Sequence, residues 1–183
     1  NVIFADIECV RASKELDINS REFELFQYKN RNRDTGDLLP DLEVVELYKK
    51  TAALSPIFGK VICVSVGFVV DNKFIYKSFT GTESEIITEF FNLINSSGKI
   101  LAGYNFINFD CNYLLLRAAA NNLEVHLNEK MNTLGKKEWN VSDNILDLML
   151  LMKGTGWVNY SLDEVAYLLD VDSPKDGVKG HQV

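Results

Sequence analysis

The sequence predicts an α/β fold in which a mixed β-sheet is flanked by helices. Three observations carry this expectation. The chain opens on an apolar run, Val2 to Cys9, that reads as a central strand. Strand and helix patterns then alternate from Lys60 to about Asn121. Two capping boxes, Thr82-Glu83-Ser84-Glu85 and Ser161-Leu162-Asp163-Glu164, each open an apolar helical pattern. At 183 residues the chain suits one domain burying ~70% of its unfolded surface.

In the first strand both sets of alternating positions are apolar until Asp6 and Glu8, as in a strand covered on both sides. Lys60 to Val70 predicts a second strand, with Ile62, Val64, Val66 and Phe68 on one face. Asp71-Asn72 links it to Lys73–Phe79 as a hairpin. The first capping box leads into Ile86, Ile87, Phe90, Phe91 and Ile94 at helical spacing, and Ser97-Gly98 ends that helix. A short strand over Ile100–Tyr104, a helix from about Phe109 to Asn121 and a helix over Ile145–Lys153 follow. The second capping box opens a helix to about Leu169, and the tail from Asp172 reads as a loop. The stretch from about 11 to 59 exceeds what a connection needs. With helices over Phe23–Tyr28 and Leu42–Leu54 and no independent core, it is expected to be an insertion on the same domain.

No apolar run reaches ~18 residues, so no membrane span is expected. The first residues are acidic and lack a basic leader, and the chain starts without Met on a strand pattern; residues are expected to precede it, without a signal peptide. Cys9, Cys63 and Cys111 are an odd set in apolar settings and are expected to be reduced core thiols of a cytoplasmic protein. The net charge of −7 and pI near 4.9 argue against a protein that simply coats nucleic acid. They do not argue against a nuclease, whose carboxylates hold cations that reverse the local sign.

Asp6 and Glu8 lie two apart on a strand, so their side chains leave the same face. Two adjacent carboxylates repel and are costly to desolvate, and only Arg11 lies near them in sequence. A divalent cation such as Mg²⁺, which prefers carboxylate, water and phosphate oxygens, would relieve the repulsion; a solvated strand end would also do so. A second constellation runs Gly103-Tyr104-Asn105-Phe106-Ile107-Asn108-Phe109-Asp110, with Asp110 in the first turn of an apolar helix. Alone, that aspartate is an ordinary helix-terminus partner.

Phe4-Ala5-Asp6-Ile7-Glu8 resembles the first motif of the DEDD superfamily of 3′–5′ exonucleases, and Tyr104-Asn105-x3-Phe109-Asp110 resembles the second. Leu54 to Ser65, Ile145-Leu146-Asp147-Leu148-Met149 and Ser161 to Ala166 are similar to stretches of the proofreading exonucleases of family-B DNA polymerases. Lys175–Val183 is similar to the loop before their third motif. The resemblance covers most of the chain apart from Arg11–Ala53. It implies a ribonuclease-H-like sheet and a two-metal mechanism using Mg²⁺ or Mn²⁺. Asp6 would bridge both ions, Glu8 would help hold the water-activating one, and Asp110 would serve the other.

The sequence also departs from the family pattern. Cys9 stands where Thr is common, leaving a backbone contact to substrate but no hydroxyl. The third motif, with its fourth carboxylate and a Tyr or His to orient water, is absent from the 183 residues and is expected beyond Val183; His181 does not supply it. Asn105, Phe106, Phe109 and Tyr113 are candidates to stack on or bond a 3′-terminal nucleotide, core packing being the alternative. Lys29–Arg33 and Lys136-Lys137 beside Trp139 are expected as solvated charge runs, with strand guidance the alternative. His126 is expected to face solvent, and Asp143, Asp147, Asp163 and Asp170 to be caps or surface charges, Asp147 alternatively supporting the metal ligands. The implied activity is a 3′–5′ exodeoxyribonuclease on single-stranded DNA, with replication or repair proteins as further partners. The competing expectations are an exoribonuclease and a catalytically silent module that binds nucleic acid or a polymerase.

Overall fold

A computed structural model describes residues 2–124 and 145–172; Lys136, Lys137, Trp139, His126, Asp143 and His181 lie outside them. The chain divides into two compact units, Asn1–Glu8 with Val61–Val183, and Cys9–Lys60.

The first unit is organised by a five-stranded mixed sheet in the order β3-β2-β1-β4-β5. The strands are β1 (Val2–Arg11), β2 (Gly59–Val70), β3 (Lys73–Phe79), β4 (Ile100–Gly103) and β5 (Ile145–Asp147). β1, in the middle, runs parallel to β4, with Val2 opposite Ile100 and Phe4 opposite Ala102. β4 runs parallel to β5, and Gly103 faces Asp147 across that pairing. β2 and β3 are antiparallel. Their link uses Asp71 and Asn72 at φ 48° and 60°, the left-handed pair that a tight hairpin matching strand twist requires.

Along β1 the side chains alternate: Ile3, Ala5 and Ile7 are buried, whereas Phe4, Asp6 and Glu8 are exposed. This corrects the expectation of a strand covered on both sides. Among the described residues one face of β1 is open, because carboxylates must meet water or a cation while the odd positions supply the core.

Helix α3 (Glu83–Ser97) starts where the capping box places it. Thr82 accepts the Glu85 N–H, and the Glu85 carboxylate takes the Thr82 N–H at 2.9 Å. Its five predicted apolar positions are all buried, and the helix stops at Gly98 with φ 63°. It packs on β3 and on α4 (Asn112–Ala120). Arg117 of α4 closes a half-sheltered ion pair on Glu83 at 2.6 Å, and Glu83 also accepts the Val61 N–H at 2.7 Å.

Two expected helices differ in detail. Ile145–Lys153 is not one helix: β5 takes Ile145–Asp147 and α5 only Leu148–Lys153. A three-residue parallel strand has no periodicity of its own to announce it, and its pairing with β4 decides the outcome. The helix expected from about Phe109 begins instead with a π-helical turn over Ile107–Cys111 that leads into α4. The second capping box opens α6 (Leu162–Leu168) as expected.

The second unit holds α1 (Arg21–Lys29), α2 (Asp41–Thr51) and a 3₁₀ turn at Ala52–Leu54. It has a buried cluster of its own that includes Phe23, Phe26, Val44, Tyr48 and Phe58. The Phe26 ring meets those of Tyr48 and Phe58 edge-on at 5.1 and 5.0 Å. The absence of an independent core expected from the sequence is thereby corrected; its apolar residues are scattered over two short helices and their flanks, so no single period reveals them. The Tyr48 hydroxyl donates to Glu22, and burial with that charged neighbour pushes its pKa up to about 12. In the basic run, Lys29 donates to Ser55 and Arg31 stacks on Tyr28 at 4.0 Å. Cys9, Cys63 and Cys111 are not joined in a disulfide. Among the described residues no helix is long and apolar enough to cross a membrane.

Candidate active site

The second motif meets the first through one hydrogen bond. β4 ends at Gly103, where an added Cβ would lie 2.8 Å from Phe106 and 2.9 Å from the Ala5 carbonyl oxygen. Only glycine admits so close an approach to β1. The chain then turns at Asn105, whose φ of 57° is a left-handed value that asparagine tolerates better than most residues. Phe106 inserts into the core, and the π-helical turn carries Asp110 back to β1. There the Ile7 N–H donates to Asp110 Oδ1 at 3.1 Å. Since Ile7 sits between Asp6 and Glu8, the Asp110 carboxylate is held to the segment of β1 that bears both.

Electrostatics record the same proximity. Asp110 is buried, and its pKa is pushed up to about 7, first by loss of water and then by the Asp6 carboxylate. The bond from Ile7 opposes this rise, and Asp147 adds to it. Asp6 is also raised, by desolvation and then by Glu8. These carboxylates make one another costly to ionise, which is the condition a hard divalent cation relieves. Among the described residues, no three His, Cys, Asp or Glu side chains form a group able to hold a metal ion. The donor chemistry nevertheless fits Mg²⁺, which commonly takes one or two protein carboxylates and fills its sphere with water and phosphate oxygens.

The candidate substrate residues separate by burial. Phe106 is 0% and Tyr113 1% exposed, so both lie in the core and neither offers a ring face to a nucleotide. This corrects their expected stacking role: an aromatic beside a motif can face either way, and here the tight Gly103 turn directs Phe106 inward. Asn105 and Phe109 are half-buried, and the Phe109 ring rests on Tyr113 at 5.6 Å between centroids. Cys9 is half-buried and belongs to the second unit.

Asp147 is the residue whose place sequence reasoning understated. It is 4% exposed, at the end of β5. Its carboxylate accepts the N–H groups of Asn105 at 2.9 Å, Ile107 at 3.0 Å and Met149 at 3.0 Å. The available signal was an Asp following the apolar pair Ile145-Leu146, read there as part of a helix.

Residues 52–183 match the protein family described as "Predicted 3'-5' exonuclease related to the exonuclease domain of PolB". The matched range contains Asp110 and Asp147 but not the strand bearing Asp6 and Glu8. No curated protein matches the chain. Among solved structures it is similar to the family B DNA polymerase of the hyperthermophilic archaeon Pyrobaculum calidifontis, with a TM-score of 0.59 and 17% identity. All of this chain is covered, against 20% of that polymerase chain. Such a likeness shows the fold, a ribonuclease-H-like mixed sheet flanked by helices. With the match spanning well over half of its length, the chain belongs to the family of predicted 3′–5′ exonucleases related to the exonuclease domain of PolB.

Proposed function

We propose that the chain is a 3′–5′ exodeoxyribonuclease domain that removes nucleotides from single-stranded DNA. Asp6, Glu8 and Asp110 act as ligands of two divalent ions, Mg²⁺ or Mn²⁺. The observation that carries this reading is the bond from Ile7 to Asp110, which ties the second motif to the strand segment holding the other two carboxylates. Bound there, the ions would supply an activated water and stabilise the charge on the departing 3′ oxygen.

The chain's own residues set the conditions for that chemistry. Asp6 and Glu8 project from the open face of the middle strand, where a phosphodiester has access. The backbone contact ties Asp110 Oδ1 to the segment of β1 that bears Asp6 and Glu8. Asn105 and Phe109, both partly exposed on the loop and turn before Asp110, are the groups that would bond or stack on the terminal nucleotide. The segment at about 11–59 is then an insertion on the exonuclease domain. Replication or repair of DNA, in the cytoplasm, is the setting this activity implies, with proteins of those processes as partners.

The test follows a single-stranded DNA oligonucleotide labelled at its 5′ end, incubated in Mg²⁺ or Mn²⁺, with a matched RNA in parallel. Progressive shortening of the labelled DNA from its 3′ end is expected. Immediate release of a labelled mononucleotide would reverse the polarity, and degradation of RNA alone would move the protein to the exoribonucleases.

A further inference from the structure

The Asp147 carboxylate is unusual among the buried acidic groups described. Its two oxygens accept three backbone N–H groups, two from the loop that precedes Asp110 and one from the start of α5. It forms no ion pair among the described residues, so those N–H dipoles carry the work of solvating its charge. The two loop donors flank Phe106, and the first belongs to Asn105, the residue in the left-handed conformation. A left-handed non-glycine turn persists only where its surroundings over-determine it. Here Asp147 grips the residues on both sides of the inserted Phe106, and Phe106 and the Ala5 carbonyl crowd Gly103 so closely that no side chain fits there. The π-helical turn starts at Ile107, the second gripped residue, and ends one residue after Asp110. A shift at Ile107 is therefore passed along four residues of helical backbone to the carboxylate that reaches Ile7.

We infer that Asp147 is a positioning residue: by holding the Asn105 and Ile107 amides it sets where the Asp110 carboxylate stands against β1. This rests on the exonuclease reading for its consequence in catalysis, but not for the geometry itself. A capping aspartate alone would need only the Met149 contact. The two additional bonds reach about forty residues back in sequence, to the one loop that leads to Asp110. Asparagine cannot reproduce the grip, because its amide nitrogen is a donor and would face a backbone donor. Glutamate keeps both acceptor oxygens and the charge but sets them one methylene further out.

Amide hydrogen exchange followed by NMR tests the geometry without reference to activity. In Asp147→Asn the amides of Asn105 and Ile107 should lose protection by tenfold or more, and so should that of Ile7, while Val64 in β2 stays unchanged. If Ile7 keeps its protection, Asp147 is a local cap and the inference is overturned. On 5′-labelled single-stranded DNA with Mg²⁺, kcat should fall by tenfold or more while KM changes less than threefold, with part of the kcat regained in Asp147→Glu. An unchanged kcat overturns the catalytic consequence. Should Asp147→Asn fail to fold, Asp147→Glu is read against wild type in the same way, and intact Ile7 protection with wild-type kcat refutes the inference. If wild-type protein degrades no nucleic acid, the exonuclease reading fails by itself, and the Ile7 amide still decides whether Asp147 sets Asp110.

Discussion

The Ile7 N–H donates to Asp110 Oδ1 at 3.1 Å across 103 residues of sequence. That bond explains how two motifs, each unremarkable alone, become one constellation: β1 supplies a backbone donor between its two acidic side chains, and the π-helical turn delivers a third carboxylate to it.

The first consequence concerns stability and pH in metal-free protein. Asp110 has its pKa raised to about 7 in the fold, from an ordinary carboxylate value when unfolded. The unfolded chain then sheds this proton first, so the contribution of Asp110 to stability is fully present at low pH and is lost as pH rises from about 4 through about 7. Asp110→Asn removes this loss and keeps an oxygen for the Ile7 N–H. Its Tm, measured with chelator present, should exceed wild type by several degrees at pH 8, where each kcal/mol moves Tm by ~2–4 °C. The difference should shrink toward pH 4; an Asn variant no more stable at pH 8 would show that Asp110 carries no such strain.

A second consequence is that divalent-ion binding displaces a proton near neutrality. Calorimetric titration with Mn²⁺ at pH 7 in buffers of different ionisation enthalpy should reveal net proton release, absent in Asp110→Asn. Heats that do not depend on the buffer would argue against Asp110 as a ligand.

Gly103 tests the tight turn. Gly103→Ala places a methyl against Phe106 and the Ala5 carbonyl, neither of which can withdraw easily. We expect a loss of ~1–3 kcal/mol in urea unfolding, the usual cost of overpacking. A loss below a few tenths would mean that the β1–β4 approach relaxes without strain.

The Glu83–Arg117 pair is sheltered, and Glu83 has Val61 and Asn121 as further donors. Arg117→Ala should destabilise the first unit by ~1–3 kcal/mol, because it leaves a half-buried carboxylate short of its main partner. Equilibrium denaturation measures this directly, and a cost below 1 kcal/mol would place Glu83 in effective contact with water.

Much of this was legible in the sequence where local rules decide the outcome. The Thr82 and Ser161 caps, the Asp71-Asn72 hairpin and the shared face of Asp6 and Glu8 follow from spacing within four residues. What stayed hidden depends on partners distant in the chain. β5 is a strand only because β4 lies beside it, Phe106 is a core residue where the loop packs against Gly103, and Tyr113 is one because α4 turns that face inward. Asp147 matters through donors that no local pattern links to it.

The account rests most directly on Asp6, Glu8 and Asp110 forming a divalent-ion site. Calorimetry with Mn²⁺ on wild type and Asp6→Asn, each shown to be folded by circular dichroism, addresses it. Wild-type protein should bind Mn²⁺, and Asp6→Asn should lose most of that affinity. Equal affinity in the two folded proteins would contradict the assignment.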